Sequence, residues 1–291
     1  MIRVIATDLD GTLLNEHHVL NDTTIQAMKR AKEAGLRLVI ATGRSFDQAL
    51  KAIENLDVEC DYIVSSGAEI RDSRKSVVRS GCMDWKDCKE VYEIFQKYDL
   101  TYTFCTQEID YCIGEEGGLE KSLLANILTF NQTLTEAEVR ESEFFKFMTS
   151  RTRMIPAFET MKEIGASIIK IFAITDDLKL LKAVKKELQG KENLAVASSF
   201  ENNIEITDVK AQKGIVLKDY IESLGYTMDE VMVFGDSMND YSMLSMDFGA
   251  TIAMENGMQP VKDVAKYITK SNVEDGVAYA IDELLKLYQN I

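Results

Sequence analysis

The amino-acid sequence predicts an α/β protein whose core is a doubly wound, Rossmann-like parallel sheet, with an α+β domain inserted into it. Four short apolar runs, of the kind that is buried on both faces of a parallel sheet, each end in a cluster of polar residues. A central segment, residues 84–207, has alternating strand patterns instead, which are typical of a half-exposed and largely antiparallel sheet. The 291 residues also exceed the usual size of one domain. The chain therefore divides into a discontinuous core domain, residues 1–83 and 208–291, and an inserted domain, residues 84–207.

The composition is that of an ordinary globular protein, with 46% hydrophobic and 28% charged residues. A formal net charge of −15 repels phosphate backbones, which argues against a nucleic-acid partner but not against a small phosphorylated substrate held by local donors. No apolar run approaches the roughly 20 residues of a membrane span, and the N-terminus has no signal-peptide pattern. Five cysteines without a C-x-x-C pair indicate reduced structural thiols. We expect a cytoplasmic protein without membrane association, and no protein partner is implied.

The first apolar run, residues 4–7, ends in a turn that contains two acidic residues, a glycine and a threonine. Because alternate residues of a strand point the same way, Asp8 and Asp10 project to one side. Two carboxylates on one side repel each other, so their spacing favours either a bound cation or separate acid and base roles. Gly11 permits close approach of the backbone to a ligand, and the Thr12 hydroxyl can order the turn.

The second apolar run, residues 36–41, breaks into the small or polar residues Thr42, Gly43 and Arg44. A helix is predicted at residues 46–56, so this turn joins the carboxyl end of a strand to the N-terminus of a helix. Backbone N–H groups and the Thr42 hydroxyl are thereby placed where an oxyanion can sit. The alternative is a helix cap followed by a surface arginine.

Two segments beside these runs carry weaker signals. The polar link after the first turn contains His17 and His18, which we interpret as half-solvated loop residues because no acidic constellation downstream requires them. The third apolar run, residues 62–65, ends in Ser66, and residues 69–83 then predict a hairpin that leads out of the core domain.

The inserted segment mixes helices and strands without an internal repeat or a low-complexity tract. Amphipathic spacing predicts helices at residues 85–98, 119–130, 156–164 and 178–188. Alternation predicts strands at residues 101–106, 111–113, 168–174, 195–199 and 204–207. An acidic, aromatic stretch after residue 130 is assigned to no element. The segment is therefore expected to form an α+β unit distinct from the parallel core.

Lys213 begins the next helical pattern, immediately before Gly214. The macrodipole disfavours a lysine at a helix N-terminus, which gives this residue a reason to be functional, with a solvated lysine as the alternative. The Lys-Gly dipeptide favours Lys213 over the neighbouring Lys210 and Lys218.

The fourth apolar run, residues 231–234, ends in Gly235 and is followed by Asp236, Asn239 and Asp240. The two aspartates lie four residues apart across a strand-to-helix turn, so both can face one cleft. A fifth strand at residues 250–254, a helix that begins near residue 259 and a closing helix at residues 276–288 complete the predicted core.

The four aspartates Asp8, Asp10, Asp236 and Asp240 are expected to converge at the carboxyl edge of the sheet, where doubly wound folds bind ligands. Such a density of negative charge requires compensation. Ligands that are all oxygen suit Mg²⁺, which takes few carboxylates and keeps several waters.

These clusters resemble, in order, the four motifs of the haloacid dehalogenase-like (HAD) superfamily, whose members are mostly magnesium-dependent phosphatases. Residues 8–12 match the DxDGT motif, Thr42 the second motif, Lys213 the third, and residues 235–240 the fourth, GDxxND. The ATGR sequence at residues 41–44 and the size of the insertion are similar to the type IIB, Cof-like branch. The resemblance implies a Rossmann-like core with an inserted α+β cap domain of type C2B.

The resemblance also implies the chemistry, which is hydrolysis of a small phosphorylated metabolite through an aspartyl-phosphate intermediate, with Mg²⁺ as cofactor. The metabolite classes considered are sugar phosphates, nucleotides and pyridoxal phosphate. The implied catalytic residues are Asp8, Asp10, Thr42 and Lys213. The implied metal ligands are Asp8, Asp10 through its backbone carbonyl, and Asp236, with Asp240 either as a further ligand or as a support of the ligands. The implied phosphate-binding residues are Leu9, Thr42, Gly43, Lys213 and Asn239, with weaker substrate contacts at Arg44 and Ser66. The resemblance also places His17 and His18 in a flap-like hairpin beside the active site, which leaves a minor substrate contact as their alternative role.

Ser66 stands where Cof-like proteins usually have asparagine, a departure that leaves the catalytic set intact. Two other functions remain compatible with the resemblance, a sugar-phosphate mutase or phosphotransferase and a catalytically silent phosphate-binding module. The presence of Asp8, Asp10, Lys213 and Asp236 counts against the silent module. The inserted domain is expected to gate the site and to set the substrate preference, although its sequence shows no specificity signature.

Overall fold

A computed structural model describes residues 1–98, 100–115, 117–130 and 133–289 of the chain. The chain divides into two compact units, one formed by Met1–Gly81 with Lys210–Ile291 and the other by Cys82–Val209. The inserted domain predicted from the sequence, residues 84–207, is therefore two residues shorter at each end than the unit in the structure. In the part of the chain that the structure describes, no helix is both long and apolar enough to cross a membrane.

The strands are short and mostly buried. They are β1 (Val4–Thr7), β2 (Arg37–Ala41), β3 (Asp61–Val64), β4 (Glu69–Arg71), β5 (Val77–Ser80), β6 (Thr101–Cys105), β7 (Asp110–Ile113), β8 (Thr152–Ile155), β9 (Lys170–Ile174), β10 (Leu194–Ala197), β11 (Asn203–Asp208), β12 (Val231–Gly235), β13 (Ala250–Ala253) and β14 (Tyr267–Ile268). The helices are α1 (Asp22–Glu33), α2 (Phe46–Ala52), α3 (Trp85–Phe95), α4 (Leu119–Phe130), α5 (Glu136–Glu141), α6 (Glu143–Arg151), α7 (Phe158–Glu163), α8 (Leu178–Leu188), α9 (Lys213–Ser223), α10 (Tyr241–Ser245), α11 (Gln259–Val264) and α12 (Gly276–Gln289).

The core unit contains an eight-stranded sheet with the order β14-β13-β12-β1-β2-β3-β4-β5. The strands from β14 to β3 are parallel, and β4 and β5 add an antiparallel hairpin at one edge. β1 lies between β2 and β12, so the strand order reverses beside it, and ligand crevices of doubly wound sheets lie at such a point. The predicted doubly wound core is confirmed, and the predicted hairpin at residues 69–83 is β4 and β5.

Residues that alternate along the central strands contribute to two apolar layers. Ile5 and Phe234 pack on one face of the sheet in a cluster with α1 and α12. Val4 and Val233 pack on the other face in a cluster with α9, α10 and α11. Because both faces are covered, these strands consist of continuous apolar runs rather than alternating ones.

The inserted unit contains a six-stranded sheet with the order β10-β11-β9-β6-β7-β8, antiparallel except for the pair of β7 and β8. One face packs against α3, α7 and α8 in a core that includes Phe95, Phe104, Phe158 and Leu181. This unit therefore has a hydrophobic core of its own, and the predicted α+β character is confirmed.

The stretch after residue 130, which the sequence assigned to no element, contains α5, α6 and the edge strand β8. Thr135 Oγ1 accepts the N–H of Glu138 at 3.3 Å, and the Glu138 side chain accepts the N–H of Thr135 at 2.8 Å, so α5 begins with a capping box. This capping box can be read from the sequence. The strand β8 cannot, because its four residues form a strand by pairing with β7. The helices predicted at residues 46–56 and 85–98 end earlier, at Ala52 and Phe95.

Candidate active site

The turn after β1 begins at Asp8 and packs against Asp236, which follows β12. Gly11 has a φ of +72°, and a Cβ atom at this position would lie 2.4 Å from Asp236 Oδ2, so glycine is required for the close approach. Thr12 Oγ1 donates a hydrogen bond to Asp236 Oδ1 at 2.9 Å. The ends of the two neighbouring strands are thereby joined at one point, as the sequence predicts.

Asn256 supports the same turn from the loop after β13. Its Nδ2 donates to the carbonyl oxygen of Gly11 at 2.8 Å, and its Oδ1 accepts the N–H of Asn272 at 2.9 Å. Asn272 Nδ2 donates in turn to the carbonyl oxygen of Leu14 at 2.8 Å. Sequence reasoning assigned no role to Asn256, because an asparagine in a loop after a strand is an ordinary turn signal.

Lys213, the first residue of α9, bridges two aspartates in the interior of the core unit. Its Nζ lies 2.7 Å from Asp8 Oδ1 and 2.7 Å from Asp240 Oδ1, and its side chain is fully buried. Burial by itself lowers the pKa of Lys213, but the adjacent carboxylates of Asp240 and Asp8 outweigh burial and raise the pKa above its usual range. The lysine is therefore a fixed cation beside the Asp8 carboxylate.

Asp240 uses both of its carboxylate oxygens within the core unit. Oδ1 accepts from Lys213, while Oδ2 accepts the backbone N–H groups of Asp236 at 3.0 Å and Ser237 at 3.1 Å. Gly235 is tightly packed beside it, since a Cβ there would lie 2.5 Å from the Asp240 Cβ. Asp240 therefore fixes both the lysine and the turn that carries Asp236.

Asp8, Asp236 and Asp240 form the acidic group that can hold a metal ion, with one carboxylate oxygen of each lying within 4.8 Å of the others. Burial, together with the charge of Asp240, raises the pKa of Asp8 well above its ordinary value. The same two causes raise the pKa of Asp236 to about 8. The donor atoms are all carboxylate oxygens, and they carry more negative charge than Lys213 alone offsets, which fits a small hard divalent cation.

The Asp10 side chain does not join this group but binds Arg44. Arg44 Nε lies 2.8 Å from Asp10 Oδ2, and its second nitrogen, NH2, lies 2.6 Å from Asp10 Oδ1. Burial raises the pKa of Asp10, but the hydrogen bonds from Arg44 and His18 outweigh it and hold the pKa well below its usual range. The ligand atom that the sequence assigns to Asp10 is its backbone carbonyl, and that assignment stays a prediction.

His18, which the sequence assigns to a half-solvated loop with a minor substrate contact as the alternative, lies beside Asp10. Its Nδ1 lies 3.0 Å from Asp10 Oδ1, although its side chain is 58% exposed. His18 has a φ of +57°, in a turn where Asn15 Oδ1 accepts the N–H groups of His17 and Val19. The asparagine three residues earlier is the sequence signal of that turn. His17 lies in the loop as predicted, with a side chain that is 77% exposed.

Thr42 and Ser66 are adjacent, because they follow the neighbouring strands β2 and β3. The N–H of Ser66 donates to the carbonyl oxygen of Thr42 at 3.0 Å, and Thr42 Oγ1 accepts the N–H of Arg44 at 3.2 Å. Ser65 and Ser66 have φ values of 51° and 61°, in the left-handed region that non-glycine residues rarely adopt. Both side chains are buried, so the surrounding contacts hold this strained turn in place.

The other predicted phosphate-binding residues lie in the same turns. Leu9 is buried in the apolar layer, so only its backbone can reach a ligand, and Gly43 follows Thr42 directly. Asn239 is 8% exposed, and its Oδ1 accepts a hydrogen bond from Ser237 Oγ at 2.9 Å. Their roles toward a phosphate stay predictions.

Comparison with known proteins shows similarity over nearly the whole chain. A family model described as haloacid dehalogenase-like hydrolase matches residues 5–281. The chain is 30% identical to 5-amino-6-(5-phospho-D-ribitylamino)uracil phosphatase of Bacillus subtilis, over 98% of each chain. It is 28% identical to pyridoxal phosphate phosphatase of Escherichia coli, over 96% of this chain and 97% of the relative.

Solved structures share the fold of this chain. A haloacid dehalogenase-like hydrolase from Bacillus subtilis superposes with a TM-score of 0.82 at 27% identity, covering 97% of this chain and all of the other. A subclass IIB sugar phosphatase shares the fold, with a TM-score of 0.74 at 22% identity and coverage of 97% of this chain and 98% of the other.

Proposed function

Because this chain belongs to the haloacid dehalogenase-like hydrolase family, type IIB, and is a phosphatase of that family, we propose that it hydrolyses the phosphate monoester of a small metabolite by way of an aspartyl-phosphate on Asp8. The observation that carries this proposal is the pairing of Asp8 with Lys213 at 2.7 Å, beside Asp236. A buried carboxylate is a poor nucleophile when it is protonated. Lys213 opposes the rise in the pKa of Asp8 that burial causes, and so it favours the reactive carboxylate.

We propose Mg²⁺ as the cofactor, held by the side chains of Asp8 and Asp236 and by the Asp10 backbone carbonyl. When bound, the ion would neutralise charge on the phosphoryl oxygens. Asp240 contributes by fixing Lys213 and the Asp236 turn, since both of its oxygens already have partners in the protein.

The protein groups divide the reaction into two steps. In the first, Asp8 attacks phosphorus and the leaving alcohol takes a proton from Asp10; in the second, Asp10 takes a proton from the water that hydrolyses the acyl phosphate. Lys213, the Thr42 hydroxyl, the Asn239 side chain and the backbone N–H groups of Leu9 and Gly43 would donate to the phosphoryl oxygens. These are positions at which a loose phosphoryl-transfer transition state carries its charge.

The proposed substrate class is the phosphate ester of a sugar, a nucleotide or pyridoxal. It rests on the relatives, which act on a phosphoribityl uracil and on pyridoxal phosphate according to their names. A panel of these esters and of hexose and pentose phosphates, ranked by kcat/KM, identifies the preferred leaving group.

The activity is tested by the turnover of p-nitrophenyl phosphate with Mg²⁺, and with excess chelator. We expect turnover that chelation abolishes and that Asp8→Asn lowers by at least about 1,000-fold, because the amide cannot form the acyl phosphate. Asp219→Asn is the matched control, since Asp219 is half-exposed and pairs with Arg79 on the surface. Activity of Asp8→Asn above about a thousandth of wild type would contradict the nucleophile assignment.

A further inference from the structure

Two arginines lie at opposite ends of strand β2, and each binds an aspartate with two nitrogens. At its start, Arg37 Nε contacts Asp61 Oδ2, and its NH2 lies 3.0 Å from Asp61 Oδ1. Beyond its end, Arg44 makes the same kind of pair with Asp10. The first pair lies at the amino edge of the sheet, whereas the second lies at the carboxyl edge, where the proposed chemistry takes place.

The Arg44 pair leaves Asp10 little freedom to rotate. A planar guanidinium that binds both oxygens of a carboxylate fixes its orientation as well as its position. The third contact, from His18 Nδ1 to Asp10 Oδ1 at 3.0 Å, comes from a different turn, eight residues after Asp10. Asp10 is therefore held by side chains that come from two separate turns.

Arg44 is itself fixed by its backbone. Its N–H donates to Thr42 Oγ1 at 3.2 Å, and its carbonyl oxygen accepts the N–H of Ser65 at 2.8 Å. Its side chain is 26% exposed. The turn that carries the guanidinium is thus fixed by hydrogen bonds to the residues that follow β2 and β3. A rigid backbone suits a residue whose side chain orients another side chain.

We propose that Arg44 is a positioning residue that aims the Asp10 carboxylate in the proposed reaction, with His18 as its second support. The proposal assigns Arg44 to Asp10 rather than to the substrate, because its Nε and NH2 donors are directed at Asp10. This inference rests on the proposed function, in which Asp10 transfers protons. Its loss must then lower kcat through Asp10, whereas the loss of a substrate contact would raise KM.

The test is a double-mutant cycle with Arg44→Gln, Asp10→Asn and the double variant, assayed with an alkyl phosphate. In the wild-type background, we expect Arg44→Gln to lower kcat by about 10- to 100-fold, with little change in KM. In the Asp10→Asn background, the same change should cost less than about twofold, since the side chain that Arg44 positions no longer transfers protons. Equal losses in both backgrounds, or a rise in KM with kcat unchanged, would overturn the inference.

Arg30→Gln is the matched control, because Arg30 also binds an aspartate, Asp282, with two nitrogens but lies on the surface between α1 and α12. It should leave both kinetic constants unchanged. Arg44→Lys keeps the charge without the planar fork, so it should recover only part of the lost kcat, and it replaces Arg44→Gln in the cycle if that variant does not fold.

His18→Asn completes the set, since asparagine tolerates the left-handed backbone of this position. It should lower kcat in the same direction as Arg44→Gln but by less, because it removes one contact of three. A wild-type protein without phosphatase activity would overturn the proposed function itself. An active wild type whose cycle is additive would overturn only the role of Arg44.

Discussion

Lys213 is a buried charge with two charged partners, an arrangement that contributes little net stability because desolvation offsets the attraction. Lys213 serves the chemistry instead, because its charge favours the ionised form of Asp8 in a buried site that favours the neutral acid. The neighbouring Asp10 is held ionised in a different way, by Arg44 and His18. The two aspartates, two residues apart, therefore have opposite shifts in pKa. The low pKa of Asp10 suits its role as the base in the second step, whereas the raised pKa of Asp8 is a cost that Lys213 opposes.

At the residue scale, the first prediction concerns the proton that Asp10 supplies. Asp10→Asn should lower kcat by about 100- to 10,000-fold with an alkyl phosphate, whose leaving alcohol must be protonated. The loss should be smaller with p-nitrophenyl phosphate, because its leaving group needs hardly any proton. Steady-state kinetics with both substrates checks this, and equal losses would contradict the acid role.

The pKa of Asp236 gives a prediction about pH and metal. In the metal-free protein this pKa is raised to about 8, so the folded state favours the neutral acid, and the resulting stabilisation is lost as pH rises through about 8. Mg²⁺ requires the carboxylate, so its apparent affinity should fall about 50-fold from pH 8 to pH 6 as Asp236 is protonated. The Mg²⁺-induced increase in Tm should accordingly be larger at pH 8. Asp236→Asn is the control that should weaken this pH dependence, leaving only the part that comes from Asp8. An equal increase in Tm at both pH values for the wild type would contradict the assignment.

At the scale of elements, the core turns depend on glycines that permit close backbone packing. Gly11 lies against Asp236, Gly235 lies against Asp240, and Gly214 lies against α10. At Gly214, a Cβ atom would lie 2.2 Å from the Ser242 carbonyl oxygen. The Gly214 N–H also donates to Ser242 Oγ at 2.9 Å, so the start of α9 is joined to α10 directly beside Lys213.

Gly214→Ala should therefore destabilise the protein by about 1–3 kcal/mol, although alanine in a helix usually adds stability. The clash is with backbone, which cannot move without separating α9 from α10. Gly81→Ala is the control, since a Cβ there meets nothing within 4 Å. Urea unfolding measures both variants, and a gain in stability for Gly214→Ala would show that the two helices can separate at little cost.

At the scale of the whole molecule, the chain forms two units with separate hydrophobic cores and passes from one to the other twice. Each proposed catalytic side chain lies in the unit formed by Met1–Gly81 and Lys210–Ile291. The inserted unit, Cys82–Val209, contributes none of them, so it is available to set substrate preference without altering the phosphoryl chemistry.

We therefore predict that exchanging residues 82–209 for the insertion of a relative with another substrate transfers the substrate preference. The dependence on Mg²⁺ and on Asp8 should stay unchanged, because both belong to the core unit. The measurement is kcat/KM of the chimera and of both parents over the same panel of esters. A folded chimera that keeps the preference of the core parent would place the specificity in core residues such as Ser66.

The sequence alone determined the strands and turns that carry Asp8, Thr42 and Asp236, because each motif is local. A buried apolar run, a glycine and a polar residue lie within a few positions of each other, and their order along the chain fixes the edge of the sheet at which they meet. The convergence of Lys213 with Asp8 was predictable only from the order of the motifs, since Lys213 begins α9 and the strand before it, β11, belongs to the inserted sheet. The capping box of α5 was available in the sequence as well.

Only the tertiary structure decided which partners the charged groups choose. The sequence assigns the Asp10 side chain to proton transfer and its backbone carbonyl to the metal, and the structure adds that the side chain binds Arg44, 34 residues away, and His18. The sequence left open whether Asp240 binds the metal directly or supports the ligands, and only the structure shows that its oxygens accept from Lys213 and from two backbone N–H groups. Such choices depend on differences in distance of about an ångström between several possible partners, at which charge–charge energies in a buried site change by kilocalories. Sequence separation contains no information on distances of that size, so packing sets them.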